Sequence, residues 1–394
     1  MARIMVIAGG VWQCPIIKLA KSMGHYVICT NLYEDSPAFA YADVGLVADV
    51  LDKEKNLEYA RQYHPDVIMT DQSDIAVPTV AYVAEKMSLK GITIKIAEKF
   101  TNKHIMREIT ALAGFASPKY DLCYNADSVK HFLDQNGKCI IKPLNSQSSR
   151  GCHIIETYKD IATYFEDCVQ YSNGEKAIVV EEYIEGIEYT VDGLKTEEEY
   201  ITTAISEKEP FDYNRNVAKR LVFSKENEKC DYNKLAEINE GIVQALGLPF
   251  GITHAEYKYN NGQFYLIEIA ARGGGTRISS DIVPLISGIN SNKYLIEILL
   301  GQKVNIVRNK FVNCAVLGFF DIESGTVESI TGVEQALKLY GVIDICLDIK
   351  EGDIVQRAQD DRSRCGYYIL FANSMEELNS LESQVKSTIQ IAVK

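Results

Sequence analysis

The sequence has no apolar run near the roughly 18 to 20 residues of a membrane span, and its apolar start, Met1 to Ala8, is too short for a secretory signal. A soluble, unprocessed, cytoplasmic chain is expected, with no membrane partner. Positive charge is in deficit: 41 Lys and Arg against 54 Asp and Glu leave a formal net charge of -13. Binding a phosphate backbone needs a concentrated basic face, so nucleic acid is excluded as a ligand. Metal-type cysteine patterns are also missing. Ten cysteines and six histidines are scattered without a C-x-x-C pair or a Cys/His cluster, which excludes a zinc site and a disulfide framework. Reduced thiols acting as small buried hydrophobes are what remains. There is no low-complexity tract or Pro/Ser-rich linker, so all 394 residues are expected to fold, in two or three domains.

What is present begins as alternating strands and helices. Arg3 to Ala8 is an apolar run, Pro15 to Met23 an amphipathic helix closed by Gly24, and Tyr26 to Thr30 a second β-branched run. Val44 to Val50 and Val67 to Thr70 follow, with helical segments between them. Residues 1–100 therefore predict a small parallel sheet covered by helices. Gly9-Gly10 lacks the G-x-G-x-x-G spacing, and Asn31 stands where a ribose-binding acid belongs, which argues against a nicotinamide site. The expected role of the two glycines is a tight turn where a small substrate meets backbone amides.

From Thr101 the texture becomes α+β. Asn102-Lys103 opens a helix, and short strands separated by Gly or Asn-Gly turns follow, among them Cys139 to Lys142, Ala177 to Ile184, Tyr189 to Asp192, Glu199 to Ser206, His254 to Tyr259 and Gln263 to Ala270. The last segment, with strands at Ala315 to Phe320 and Tyr367 to Phe371 and a helix from Met375, reads as a small closing domain.

Three features carry chemistry in this middle region. A strand ends at Lys142-Pro143 and runs into a polar loop, Asn145 to Gly151, whose small side chains let amides and hydroxyls wrap polyphosphate oxygens while Lys142 and Arg150 supply charge. A mobile hairpin is the plain alternative. Further on, Val179-Val180-Glu181-Glu182-Tyr183-Ile184 is an apolar strand ending in acids, suited to a hinge that pairs with adenine. Glu185 and Glu188 are either ribose-binding carboxylates or solvated loop acids, with Glu188 the better ligand because a β-branched strand follows it.

The third feature is a hairpin: His254-Ala255-Glu256 on one strand, Glu268-Ile269-Ala270 on the other, joined through Asn260-Asn261-Gly262. Side chains alternate faces along a strand, so the two acids share a face only when the loop has an odd number of residues. A three-residue loop with Gly262 left-handed meets that condition. It places His254 opposite Glu268 and Glu256 diagonal to it, whereas a two-residue Asn261-Gly262 turn sends the acids to opposite faces. Two neighbouring carboxylates in an apolar strand need a cation between them, and a nearby polyphosphate points to magnesium. Arg272 is placed to meet developing phosphoryl charge, with Gly273-Gly274-Gly275 allowing close approach. Arg277 is a second guanidinium for a substrate carboxylate, and structural ion pairing is the alternative for both.

Taken in order, Lys103, Lys142, Arg150-Gly151, Glu181-Glu182-Tyr183-Ile184, Glu188, Glu256 and Glu268-x-x-x-Arg272 resemble the ATP-grasp superfamily over essentially the whole chain. Ser36-Pro37-Ala38 with Asp43, the Pro78 to Ala81 helix and the Gly366-Tyr367-Tyr368 strand resemble its flanking domains. The resemblance implies an N-terminal domain over 1–100, a two-lobed nucleotide-binding middle over 101–305 with a lid at about 120–187, and a C-terminal domain over 306–394. The motifs Thr253-His254-Ala255-Glu256 and Ile267 to Arg272 are most similar to the bacilysin-type L-amino acid ligases. Ala270 departs from the Glu-x-Asn of many members, which puts two fully ligated metals in doubt.

That resemblance implies an ADP-forming carbon–nitrogen ligase that joins a carboxylate to an amine through an acyl phosphate. It implies ATP and Mg2+, or Mn2+ in its place, as cofactors, small-molecule substrates as partners, and a homodimer by analogy. Lys103, Lys142, Ser148, Ser149, Arg150 and Gly151 would hold ATP phosphates, Glu181, Glu182 and Ile184 would read adenine, and Glu188 would bind ribose. Glu256 and Glu268 would take the metal, while Arg272, His254 and Arg277 would serve the reacting groups. Two other readings stay open: a carboxylase-like or purine-pathway ligase, and a nucleotide-binding regulator without turnover.

Overall fold

The structure is a computed structural model that describes all residues except 147–149, 173 and 175. Ser148 and Ser149, assigned above to a phosphate loop, lie outside the described residues.

The chain begins with β1 (Arg3–Ile7), α1 (Cys14–Ser22), β2 (Tyr26–Asn31), β3 (Val44–Val47), α2 (Lys53–Tyr63), β4 (Val67–Met69) and α3 (Val77–Lys86). Its four strands form a parallel sheet in the order β3-β2-β1-β4. Ile4 to Ile7 of β1 are all fully buried because the sheet is covered on both faces. Ile4 and Val6 enter one core, and Met5 and Ile7 another. A 3-10 turn at Pro37–Ala40, not a longer helix, links β2 to β3. Gly9 serves packing: a Cβ there would stand 2.7 Å from Cys29 Sγ, so the residue lets the chain pass close over β2.

Next come α4 (Ile94–Thr101), α5 (Lys103–Leu112), β5 (Tyr120–Cys123), α6 (Ala126–Asn136), β6 (Cys139–Pro143), β7 (His153–Ile155), α7 (Tyr158–Gln170) and β8 (Ile178–Glu182). Asn102 caps α5 by accepting from the His104 and Ile105 amides. The four strands pair as β5-β8-β6-β7, and α6 and α7 share a core with them through Phe132, Phe165 and Ile141.

The remaining elements are β9 (Ile187–Lys195), β10 (Tyr200–Phe211), β11 (Asn214–Ser224), α8 (Tyr232–Leu246), β12 (Gly251–Asn260), β13 (Gln263–Ala270), α9 (Val283–Ser287), α10 (Ser291–Leu299), β14 (Cys314–Phe319), β15 (Gly325–Thr331), α11 (Val333–Ala336), β16 (Val342–Leu347), β17 (Ile354–Val355), β18 (Gly366–Ala372), α12 (Met375–Thr388) and β19 (Gln390–Val393). Eight of these strands make one antiparallel sheet, β13-β12-β9-β10-β11-β14-β18-β16. Strands from after residue 306 thus continue the sheet begun by the middle region, through the pairing of β11 with β14. The long hairpin β10–β11 supplies the bridge. β15, β17 and β19 form a separate small sheet.

The β12–β13 hairpin differs from expectation in an instructive way. Asn260 pairs with Gln263, so the loop has two residues, Asn261 and Gly262, both with positive φ, as a type I′ turn requires. On its own that turn would separate the acids. The ladder then shifts between Glu256 and Tyr257: Tyr257 faces Leu266, Glu256 faces Glu268, and Ile267 is the extra residue of a β-bulge. The core positions of β13 change parity at the same point, from Phe264 and Leu266 to Ile269. Glu256 and Glu268 are therefore direct cross-strand partners, and His254 lies opposite Ala270, not Glu268.

Candidate functional site

One face of the large sheet collects the charge. On β12 the positions His254, Glu256 and Lys258 alternate with the buried Ala255 and Tyr257. Across the ladder, Asp192, Thr190 and Glu188 of β9 stand opposite these three in turn, and Lys208 of β10 stands opposite Glu188. The pairing of Glu188 with both lysines follows from strand register: Lys208 Nζ and Lys258 Nζ each lie 3.0 Å from its carboxylate. Burial pushes the Glu188 carboxyl up, and the two lysines outweigh that and hold it below its ordinary range. Lys208 also reaches Glu256 at 3.2 Å, and its own pKa rises far above normal because these acids more than offset burial.

The opposite wall comes from α5 and the four-stranded sheet. Lys103 Nζ lies 3.1 Å from Glu268 Oε2 and donates to the Ser146 carbonyl at 2.8 Å. Burial works against both charges of this pair. For Glu268 the fields of Lys103, Arg272 and Lys142 prevail and draw the carboxyl down to about 2. Lys142 is buried and paired with Glu181 at 2.6 Å. Glu181, 2% exposed, is gripped from the other side by Arg107 through Nε at 3.1 Å and Nη2 at 2.9 Å. Although burial raises its pKa, Arg107 and Lys142 bring it to about 2. The same Arg107 guanidinium donates to the carbonyls of Leu266 and Ile267, the two residues at the bulge. It therefore ties the placement of Glu268 to the hinge acid Glu181.

Between these walls is a cleft lined by Lys103, Lys142, Glu181 to Ile184, Glu188, Lys208, Glu256 and Glu268. A second cavity shares Lys208, Glu256 and Glu268 with it and adds His254, Arg272 and Gly275. The two acids stand at the junction of both spaces. Lys103, Lys142, Glu181, Glu182, Ile184, Glu188, Glu256 and Glu268 are thus brought together around the first cleft. Glu182 also accepts from the Lys119 amide at 3.3 Å. Arg150 lies with its guanidinium 5.9 Å from the Tyr171 ring, and Gly151 packs against Tyr171 and Pro143. Glu185 pairs with Lys138 at 3.1 Å.

The groups expected to serve the reacting atoms are held by other partners. Arg272 forks onto Asp74, with Nε 2.9 Å from Oδ1 and Nη2 2.7 Å from Oδ2. Arg277 forks onto Asp281 at 2.5 and 2.7 Å and reaches Asp344 at 3.1 Å. His254 Nδ1 meets Asp192 Oδ1 at 2.9 Å, not Glu268. Arg107, Lys208, Lys258 and Asp74 were missed in the sequence. Arg107 carried a usable signal, since it lies four residues after Lys103 on one helical face.

The paired acids suit a hard divalent cation. Both present oxygen donors to one cleft, and Glu268 is held ionised far below neutrality. Among the described residues no group of three or more His, Cys, Asp or Glu gathers into a metal cage. Magnesium commonly takes one or two carboxylates and completes its shell with water and phosphate oxygens, so the residues present fit it. The described residues contain no helix long and apolar enough to cross a membrane.

Comparison with known proteins agrees with this architecture. An ATP-grasp domain family matches residues 135–281, and the L-amino acid ligase C-terminal domain 2 family matches residues 318–394. Dapdiamide A synthase of Enterobacter agglomerans is 22% identical over 311 residues, covering 72% of this chain and 70% of that protein. The formate-dependent phosphoribosylglycinamide formyltransferase of Bacteroides thetaiotaomicron is 26% identical over 188 residues, 47% of this chain and 48% of its own length. The chain thus spans about half of that relative. The crystal structure of an L-amino acid ligase from Bacillus licheniformis superposes with a TM-score of 0.80 at 20% identity, covering 100% of this chain and 99% of that one.

Proposed function

Starting from a chain with the ATP-grasp fold, an ATP-grasp domain and an L-amino acid ligase C-terminal domain, we propose an ADP-forming ligase that joins a carboxylate, that of an amino acid, to an amine. The observation that carries this reading is the position of Glu256 and Glu268 at the junction of two spaces, one suited to a nucleotide and the other to its reaction partners.

In this reading ATP lies in the first cleft, with adenine toward Glu182 and Ile184, ribose at Glu188, and phosphates toward Lys103, Lys142 and Arg150. Glu181 acts through its ion pairs, orienting Lys142 and Arg107, since its carboxylate is already engaged. Magnesium held by Glu256 and Glu268 would neutralise phosphate charge. The substrate carboxylate takes the γ-phosphoryl group from the side of the second cavity, and positioning with fixed positive charge is the protein's main contribution. Arg272, held rigid by Asp74, faces the charge of the acyl phosphate. The amine then displaces phosphate, and His254, which lines that cavity and is oriented by Asp192, accepts its proton.

Phosphate release measured with ATP, Mg2+ and a panel of amino acids tests the proposal. Release that depends on an amino acid, with a dipeptide or amide product by mass spectrometry, is the expected result. Tight ATP binding without release under any substrate would point to a regulator, and release driven by bicarbonate or formate to a purine-pathway type of ligase.

A further inference from the structure

Asp192, the partner of His254, is buried at 2% exposure, and only half of its carboxylate is engaged. Its Oδ1 meets His254 Nδ1 at 2.9 Å and accepts from the Gly274 amide at 3.3 Å. Its Oδ2 has no partner among the described residues, and no lysine or arginine among them pairs with this carboxylate. Above the range in which an imidazole titrates, neither partner supplies a positive charge. A buried carboxylate in that state is costly unless a cation joins it.

The surroundings of Asp192 are built from further buried oxygens that lack partners. Thr203 is the extra residue of a bulge in β10: Thr202 faces Gly193 and Ala204 faces Asp192, so Thr203 adjoins Asp192 across the ladder. Ser279 comes from the turn Ile278–Ile282, and its amide donates to the Gly274 carbonyl. A Cβ on Gly273 would stand 3.0 Å from Ser279 Oγ, and one on Gly274 2.9 Å from Asp192 Oδ1, so these two glycines let both side chains close in on the same stretch of backbone. The hydroxyls of Thr203 and Ser279 are buried without a hydrogen-bond partner among the described residues. The helix α10 packs on the same turn and on β12, and its first two residues add two more such atoms, Ser291 Oγ and Asn292 Oδ1.

All of these unpartnered atoms are oxygens, the donor type that hard cations take. One carboxylate among neutral oxygens balances a single positive charge, whereas magnesium keeps its waters and is bound with the help of phosphates. We propose that Asp192, Thr203 and Ser279 hold a dehydrated monovalent alkali cation, potassium or sodium, behind the Gly273-Gly274 backbone and separate from the pair Glu256 and Glu268. The ion fixes Asp192, and through it the His254 ring and the Gly274 amide. It is a binding site in its own right and does not depend on the ligase reading.

Thermal melts of the nucleotide-free protein in potassium, sodium or tetramethylammonium chloride at equal ionic strength test the site without turnover, because tetramethylammonium screens charge but is too large to enter. The melting temperature should be about 2–4 °C higher in K+ or Na+ and should saturate with concentration. Ser279→Ala and Thr203→Val change little volume, and each should fold and lose most of that shift. A crystal soaked in Tl+, which stands in for K+, should show an anomalous peak bounded by Asp192, Thr203 and Ser279. Equal melting in all three salts, a full shift retained in both folded variants, or a Tl+ soak with no peak at that place, the result if water alone satisfies these oxygens, would each overturn the assignment.

Discussion

Glu256 stands directly opposite Glu268 across β12 and β13, and the pairing exists because Ile267 is bulged out of the ladder. Without that extra residue the two-residue turn would have set Glu256 against Ile267. Because the carboxylates share a cleft and are matched by lysines at either side, Glu268→Gln should keep the fold while lowering kcat by at least about 10²-fold, the scale on which pre-placed charge acts in a closed site. Phosphate release across a magnesium titration, with a thermal melt as the control for folding, checks it. Turnover at the unaltered rate would remove Glu268 from the site.

Arg107 links the bulge to the hinge, donating to the Leu266 and Ile267 carbonyls and to Glu181. Replacing it with Met leaves Glu181 buried with Lys142 alone and removes the donor from the buried Leu266 carbonyl and the part-buried Ile267 carbonyl. Breaking a buried ion pair by removing one partner costs about 3–5 kcal/mol. Arg107→Met should therefore unfold at markedly lower urea and lose activity in what remains folded, and Arg107→Lys should rescue little, because an ammonium cannot reproduce the planar fork.

The charges on Glu181 and Glu268 give the protein an acid sensitivity of definite sign. Both carboxyls are held at about 2 in the folded protein, against an ordinary value of 4.5. A carboxyl whose folded value is depressed stabilises the fold fully above its unfolded value. That contribution is lost as pH falls through the window from 4.5 toward 2. Urea unfolding measured from neutrality down through this window should show stability falling with pH, and the slope should be shallower in Glu181→Gln. A slope unchanged by that substitution would contradict the ion-pair assignment.

The sequence revealed strands more readily than contacts. Continuous apolar runs such as Ile4 to Ile7 and the Asn-Gly turn are local signals, and they placed the parallel sheet and the β12–β13 hairpin where the structure has them. The acids were brought together for a different reason from the one expected, because a bulge depends on how both strands pack and leaves no residue-type signature at Ile267. The same limit explains Arg272, whose partner Asp74 lies 198 positions away. Arg277 differs: it forks onto Asp281, four residues on, a pair that helical spacing makes legible, and only its second partner Asp344, 67 positions away, lies beyond any spacing rule. Lys208 was missed because β10 had been ended at Ser206, two residues before the lysine that meets Glu188.

Whether the turn or the bulge sets the register of the acids can be decided at Gly262. Its φ of +81° is unfavourable for a side chain, and no atom lies within 4 Å of the position a Cβ would take. Gly262→Ala therefore tests backbone strain alone, at a cost of about 1–2 kcal/mol. From Gly262 to Glu268 is roughly 20 Å along an extended strand, at about 3.4 Å per residue. Between them Arg107 fixes the carbonyls of the bulge. If the bulge sets the register, the variant should melt at a lower temperature and keep its kcat. A large fall in kcat with little loss of stability would mean instead that the turn holds the two carboxylates in line.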